Sequence, residues 1–330
     1  MKQEHLEQID AAVKALEDRA NGEGIDRIYF VACGGSQAFF MPVQYMFDRE
    51  LGVPTAIYNS NEFNYGTPKA FGPKSVVITC SHSGTTPETV AAAQKATDAG
   101  ALSIAFTNVA DSPLWKAATR PMHYDHGKDA DFAEKNTSVL YTFVFKALKV
   151  LAPEQSARWD NGLDAIVSIA PKRDAAIELY RERAEKFATA NKRQKTIYTM
   201  ASGVNYGEAY STANCWFMEM QWVSSNPIHS GEYFHGPFEI TDYDVPFIII
   251  VSNGATRQLD ERALAFAEKF SDDLLVIDQR DFDYTGIDEA NREYLAPVYS
   301  AAVVRTFVEK LAHDRGHSLD VRRYMWQMQY

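Results

Sequence analysis

Five hydroxyl side chains crowd one short segment, Ser81-His82-Ser83-Gly84-Thr85-Thr86-Pro87-Glu88-Thr89, between an apolar run ending at Cys80 and a helical pattern from Glu88 to Ala99. Ser81, Ser83, Thr85 and Thr86 can each donate a side-chain hydrogen bond, and Gly84 lets the backbone approach a guest closely. Free N–H groups and the dipole at a helix start favour a dianion. A phosphate monoester suits this chemistry. The competing reading is purely structural, with Thr85 or Thr86 as N-cap and Pro87 in the first helical position. Two other phosphate motifs fit poorly. The lysine of a P-loop is missing, and Cys33-Gly34-Gly35-Ser36-Gln37-Ala38 does not match GxGxxG, which disfavours nucleoside triphosphates and NAD. Ser36 either adds a hydroxyl to the same pocket or caps its own helix.

A second group of reactive residues lies in the C-terminal half. Glu219 sits within Phe217-Met218-Glu219-Met220-Gln221-Trp222, where aromatic and thioether neighbours would desolvate a carboxylate and raise its pKa toward a value useful for taking a proton from carbon. The alternative is a glutamate on the solvated side of an amphipathic helix. Ile228 to Ile240 follows, dense in ionisable groups, aromatics and turn formers; His229 and His235 are its candidate acids or bases, against a structural role for each. His229, Glu232 and His235 could converge on a metal, and His123-Tyr124-Asp125-His126 is a second such cluster. Neither has HExxH spacing, and no catalytic metal is expected.

These loops need elements to hold them. Arg27 to Ala32 is a β-rich run closed by Gly34-Gly35-Ser36, with a helical pattern to about Leu51; strands return at Val53 to Tyr58, Ser75 to Cys80 and Ala101 to Thr107, with helices between. The alternation predicts an α/β fold with a doubly wound parallel sheet, helices on both faces and ligands at the carboxyl ends of the strands. The scheme repeats. Thr196 to Gly203 resembles the first strand and turn, and Pro246 to Val251 with Ser252-Asn253-Gly254-Ala255-Thr256 mirrors Ser75 to Thr86. Gly203 lies 169 positions after Gly34 and Gly254 lies 170 after Gly84. Two anchors at one offset predict a duplicated domain, 1–165 carrying the phosphate-binding loop and 166–330 the Glu/His block and tail.

Composition bounds the partners. A net charge of −11 gives no basic field for a nucleic acid, so the many Tyr and Phe are read as core. An acidic protein can still bind one small phosphate at a loop of backbone N–H groups. The three cysteines, Cys33, Cys80 and Cys215, form no CxxC pair, which fits a reducing compartment. No apolar run approaches the length of a membrane span, and the chain is expected to be cytoplasmic.

At these residues the chain resembles the sugar isomerase (SIS) domain family, and within it the fructosamine-6-phosphate deglycases. The resemblance runs through Tyr29 to Ser36, Tyr58 to Phe63, Ser81 to Thr89, Phe217 to Trp222, His229 to Ile240 and Arg322 to Trp326. The SxSGxT loop is common to SIS proteins; the Glu219 to His235 block and the ending are more specific. The resemblance implies two tandem SIS-type domains, with Ser36, Ser81, Ser83 and Thr86 on the phosphate, Glu219 as general base and His235 as acid or ring-opening residue. Gly35, His82, Glu232, Arg322, Arg323 and Tyr324 are further substrate-binding candidates. It implies a homodimer with shared active sites, in which the histidine of His235-Gly236-Pro237 reaches into the neighbour's pocket. The implied reaction cleaves a phosphorylated sugar–amino acid to glucose 6-phosphate and an amino acid, with no metal or organic cofactor required. A glutaminase domain is not seen, so glucosamine 6-phosphate synthesis from glutamine is not expected. The isomerase's C-terminal lysine is replaced by Arg322 and Arg323, which fit either an acidic group on the substrate or dimer packing. The rivals are a ketose–aldose isomerase or amino-sugar deaminase with the same loop and base, and a sugar-phosphate sensor without turnover.

Overall fold

The computed structural model describes residues 1–328. The chain divides into two compact units, Met1–Ala170 and the part from Pro171 onward. In the first, five strands, β1 (Arg27–Ala32), β2 (Thr55–Asn59), β3 (Ser75–Cys80), β4 (Leu102–Thr107) and β5 (Arg120–His123), form one sheet in the order β2-β1-β3-β4-β5, every pair parallel. The order reverses between β1 and β3, where Ala32 pairs with Cys80. Ligands of open α/β sheets bind outside the strand carboxyl ends at such a switch point.

Strand alternation explains the layers. Tyr29, Val31 and Val77 point to one face and cluster with Phe63, Ala92 and Ala96 of the helices Ser60–Tyr65 and Pro87–Asp98. Phe30 points to the other face, against Phe40 and Phe47 of the helix Gly34–Glu50, and Phe106 packs on Phe143 of the helix Asn136–Leu151. All six positions of β3 and of β4 are buried, as expected of strands covered on both faces. The long helix Gln3–Asn21 packs on Asn136–Leu151 and on β5.

The second unit has a four-stranded parallel sheet, β6 (Tyr198–Ala201), β7 (Pro227–His229), β8 (Phe247–Val251) and β9 (Leu274–Asp278), ordered β7-β6-β8-β9. Met200, Phe247, Ile249 and Val251 pack with Tyr233 and with Ala263 and Ala267 of the helix Arg257–Phe270. After β6 the chain turns through a short helix, Tyr206–Ser211, into a ten-residue π-helix, Thr212–Gln221, which ends at Trp222 with φ +54°. Sequence periodicity gave a plain helix here. π-helical turns are rare and are found most often at functional sites.

Among the described residues no helix is long and apolar enough to cross a membrane.

Candidate active site

In the first unit the candidate residues gather at the switch point. Gly34, φ +55°, opens the helix after β1, placing Gly35 and Ser36 in its first turn, and the Ser36 hydroxyl sits beside the Cys80 thiol at the end of β3. Burial pushes that thiol up to about 12, so Cys80 is neutral. The Ser81–Thr86 loop leaves β3 immediately afterwards. Its turn is closed by the Gly84 N–H donating to the Ser81 carbonyl at 3.1 Å. Gly84, φ +66°, is held so close to the loop after β4 that a Cβ there would lie 2.1 Å from Ser112 Oγ and 2.8 Å from Thr107 Oγ1. Only glycine fits, for both sterics and conformation.

Thr86 occupies the N-cap position and Pro87 the first turn, yet the Thr86 side chain makes no capping bond. It pairs with Ser81 instead, Oγ to Oγ1 at 2.8 Å, and Ser83 pairs with Thr85 at 2.8 Å. The structural reading of these hydroxyls as helix caps therefore fails in its main point: the position is a cap, but no hydroxyl serves the helix. The first-turn Thr89 N–H is taken by the Thr86 carbonyl at 3.1 Å rather than by a hydroxyl, and the positive end of the helix dipole still favours an anion beside the loop.

His82 is exposed at its edge, and its Nδ1 lies 3.1 Å from the Tyr124 hydroxyl with the ring against His126 at 4.4 Å. Desolvation first, and the neighbouring His126 second, lower its pKa, so the ring is neutral near pH 7. Tyr124 was absent from the sequence reading as a site residue. So was Glu88, whose Oε1 lies 3.8 Å from Cys33 Sγ, itself 3.5 Å from Asn59 Nδ2, at the end of β1.

The corresponding loop of the second unit is closed to anions by its own side chains. The Ser252 N–H donates to the buried Asp260 carboxylate at 3.0 Å, and Arg257 forks onto Asp278 with two 2.7 Å bonds. Gly254 lacks the left-handed conformation of Gly84. The repeat kept its outline and lost the open loop.

What the second unit presents instead is Glu219. The carboxylate is not left alone among apolar groups, as the sequence suggested. Arg322 holds it, Nε at 2.9 Å and Nη2 at 2.7 Å from the same oxygen, Oε1, with the Arg322 side chain 6% exposed and that of Glu219 22% exposed. Arg322 is fixed in turn by the Leu319 carbonyl at 2.6 Å. Arg323 stacks over Trp222 at 4.2 Å, and Tyr324 and Trp326 stand largely in solvent. On the preceding helix, Tyr206–Ser211, Glu208 is pushed up to about 7 by burial, with Thr212 donating to it at 3.2 Å. Cys215, between the two glutamates in sequence, is raised to about 11 by burial and by the Glu219 charge.

His229 is structural in its bonding: its Nδ1 accepts the Gly231 N–H at 3.1 Å and its ring packs on Tyr206. His235 and Glu232 are both exposed, joined by the His235 N–H to the Glu232 carbonyl at 2.9 Å. Among the described residues no hydrogen bond, ion pair or ring contact joins the His235 side chain to Glu219, and His229, Glu232 and His235 form no group that could hold a metal.

Comparison with known proteins fixes the family. Residues 24–151 match the SIS domain model. The chain is 44% identical over 323 residues to fructosamine deglycase FrlB of Bacillus subtilis, covering 98% of both proteins, and 29% identical over 314 residues to fructoselysine 6-phosphate deglycase of Escherichia coli, covering 94% of this chain and 89% of the relative. Among solved structures, one from Bacillus subtilis described as a phosphosugar isomerase superposes with a TM-score of 0.92 at 43% identity, covering 98% of this chain and 99% of the other. With open hydroxyls at one switch point, a carboxylate under an arginine on a π-helix, and kinship along nearly its whole length, the chain belongs to the SIS-domain family, among the fructosamine deglycases.

Proposed function

We propose that the protein is a deglycase that cleaves a 6-phosphorylated Amadori compound, a fructose–amino acid 6-phosphate, to glucose 6-phosphate and a free amino acid. The observation that carries this reading is the 44% identity to a fructosamine deglycase over 98% of the chain. The side chains add a division of labour. Ser36, Ser81, Ser83 and Thr86, with Gly35 and His82 beside them, take the phosphate of the open-chain sugar. Glu219 removes a proton from C1, giving an enaminol; protonation at C2 leaves an imine at C1, which water hydrolyses. His235 supplies the acid for ring opening and then assists at nitrogen or O2, with Glu232 beside it.

Arg322 offers the amino-acid portion a partner, since a guanidinium recognises a carboxylate with two parallel bonds. Arg323 and Tyr324 flank it. Both units are SIS-type domains in this reading, with boundaries at 165 and 166, and the enzyme is a cytoplasmic homodimer whose His235 acts in the partner's site. Exposed Met218, Trp222, Tyr324 and Trp326 support an interface at the tail, because apolar groups so grouped mark interaction surfaces.

The test is incubation of purified protein with fructose-aspartate 6-phosphate and fructose-lysine 6-phosphate, following glucose 6-phosphate through a coupled dehydrogenase. Release from either is expected. Release from neither, with fructose 6-phosphate or glucosamine 6-phosphate converted instead, would assign the protein to isomerase or deaminase chemistry.

A further inference from the structure

We propose that His5, His123 and Asp125 form a binding site for a divalent transition metal, zinc by the chemistry of its ligands, which clamps the helix Gln3–Asn21 to the end of β5. His5 Nε2 lies 3.1 Å from His123 Nδ1 and 3.7 Å from Asp125 Oδ1, and His123 Nδ1 lies 3.8 Å from the same oxygen. A triangle with these edges has a single in-plane point about 2.1 Å from all three corners, which is the bond length of zinc to imidazole nitrogen and to carboxylate oxygen. No side chain has to move to bring the three ligands to bonding distance.

The outer partners complete the case. His5 Nδ1 lies 2.7 Å from the Glu134 carboxylate, and His123 Nε2 lies 2.8 Å from the Asn108 carbonyl. Both acceptors take a hydrogen from the rings, so with both imidazoles neutral each N–H points outward and the two inward nitrogens, 3.1 Å apart, turn lone pairs toward one another and toward Asp125, where a metal competes with a shared proton. Three electron pairs converging within 3.8 Å suit a metal cation between them, and titration with zinc separates that from a proton shared by the two rings. Imidazoles oriented by a carboxylate and by a backbone carbonyl are the usual surroundings of a metal-bound histidine. Two imidazoles and one carboxylate suit zinc, whereas calcium and magnesium prefer oxygen alone. His5 is 1% exposed, while His123 and Asp125 are 21% exposed, which leaves an entry path and a coordination position for water. Lys2 donates to the other Asp125 oxygen and leaves Oδ1 facing inward.

The location gives the site a role. Tyr124 lies between two of the ligands, and its hydroxyl is the partner of His82 in the candidate phosphate loop. A metal held by its neighbours fixes Tyr124, and Tyr124 fixes His82. The sequence offered His123 and Asp125 within one candidate cluster but not His5, which lies 118 positions from His123.

Full-length protein stripped with a chelator is titrated with zinc chloride by calorimetry, with bound metal counted after gel filtration. The expected result is about one zinc per chain, with a thermal midpoint raised by about 5 °C at a hundredfold excess over Kd. Asp125→Asn and His123→Gln are each expected to lose that zinc, while His313→Asn, at an exposed histidine, keeps it. Cobalt bound to the wild type should show the intense visible absorption of a four-coordinate ion. A wild-type protein that retains no zinc, or Asp125→Asn and His123→Gln variants that retain as much as the wild type, would overturn the proposal. So would the pale spectrum of hydrated cobalt, which tests the site even if both variants fail to fold.

Discussion

Arg322 grips one oxygen of Glu219, Oε1, with two nitrogens. In the proposed reaction an amino-acid carboxylate competes for that guanidinium, so the group that identifies the substrate also frees the base. Arg322→Ala is expected to raise KM about tenfold or more for a fructose–amino acid 6-phosphate, by loss of a charge-assisted pair, and to leave KM unchanged for a phosphofructosyl amine without a carboxylate. An equal rise for both substrates would make Arg322 a packing residue. Glu219→Gln should lower kcat about 10²–10⁴-fold with substrate binding retained by calorimetry. Glu208 makes a separate prediction. Its carboxyl is raised from 4.5 to about 7 by burial, so the fold favours its protonated form. The stability this supplies is complete below pH 4.5 and is lost as pH rises through 7. Glu208→Gln should therefore raise the thermal midpoint at pH 8 by about 2–4 °C, with the gain vanishing near pH 4.5, as followed by circular dichroism. The Arg322–Glu219 pairing was not legible in the chain, since the two lie 103 positions apart.

Glycines test the loops at the level of the element. Gly84 and Gly34 both have left-handed backbones, but a Cβ at Gly84 meets Ser112 at 2.1 Å while one at Gly34 meets nothing within 4 Å. Gly34→Ala is expected to cost about 1–2 kcal/mol from conformation alone, and Gly84→Ala about 3 kcal/mol or more once the clash is added. Urea denaturation checks the ranking, and equal losses would mean that the loop after β4 yields easily. The strands show which elements a sequence can reveal. β1, β3 and β4 were legible nearly to the residue because burial on both faces demands unbroken apolar runs. β5, β7 and β9 were not, and all three are sheet edges. Two of them contain proline, Pro121 and Pro227, which an edge tolerates and a pattern search discounts. The π-helix left no trace either, because ten residues are too few to separate its period from that of an α-helix.

For the whole molecule, the duplication was visible in the 169-residue offset, and Gly203 does repeat the φ of +55° at Gly34. The second anchor survives only as outline, with Asp260 accepting the backbone N–H where the first repeat keeps an open loop. In the proposed reaction each copy brings one Ser81–Thr86 loop and one Glu219, and the proposed homodimer supplies His235 from the partner. This arrangement can be tested without a complex structure. Glu219→Gln and His235→Ala should each be inactive alone. Mixed in equal amounts, unfolded and refolded together, half of the dimers would pair the two variants, and each such dimer would hold one site with both residues intact. About one quarter of wild-type activity is expected, following from the symmetry of a shared-site dimer. Activity no higher than that of the separate variants, with exchange of subunits verified by mass, would mean that Glu219 and His235 serve the same site from one chain.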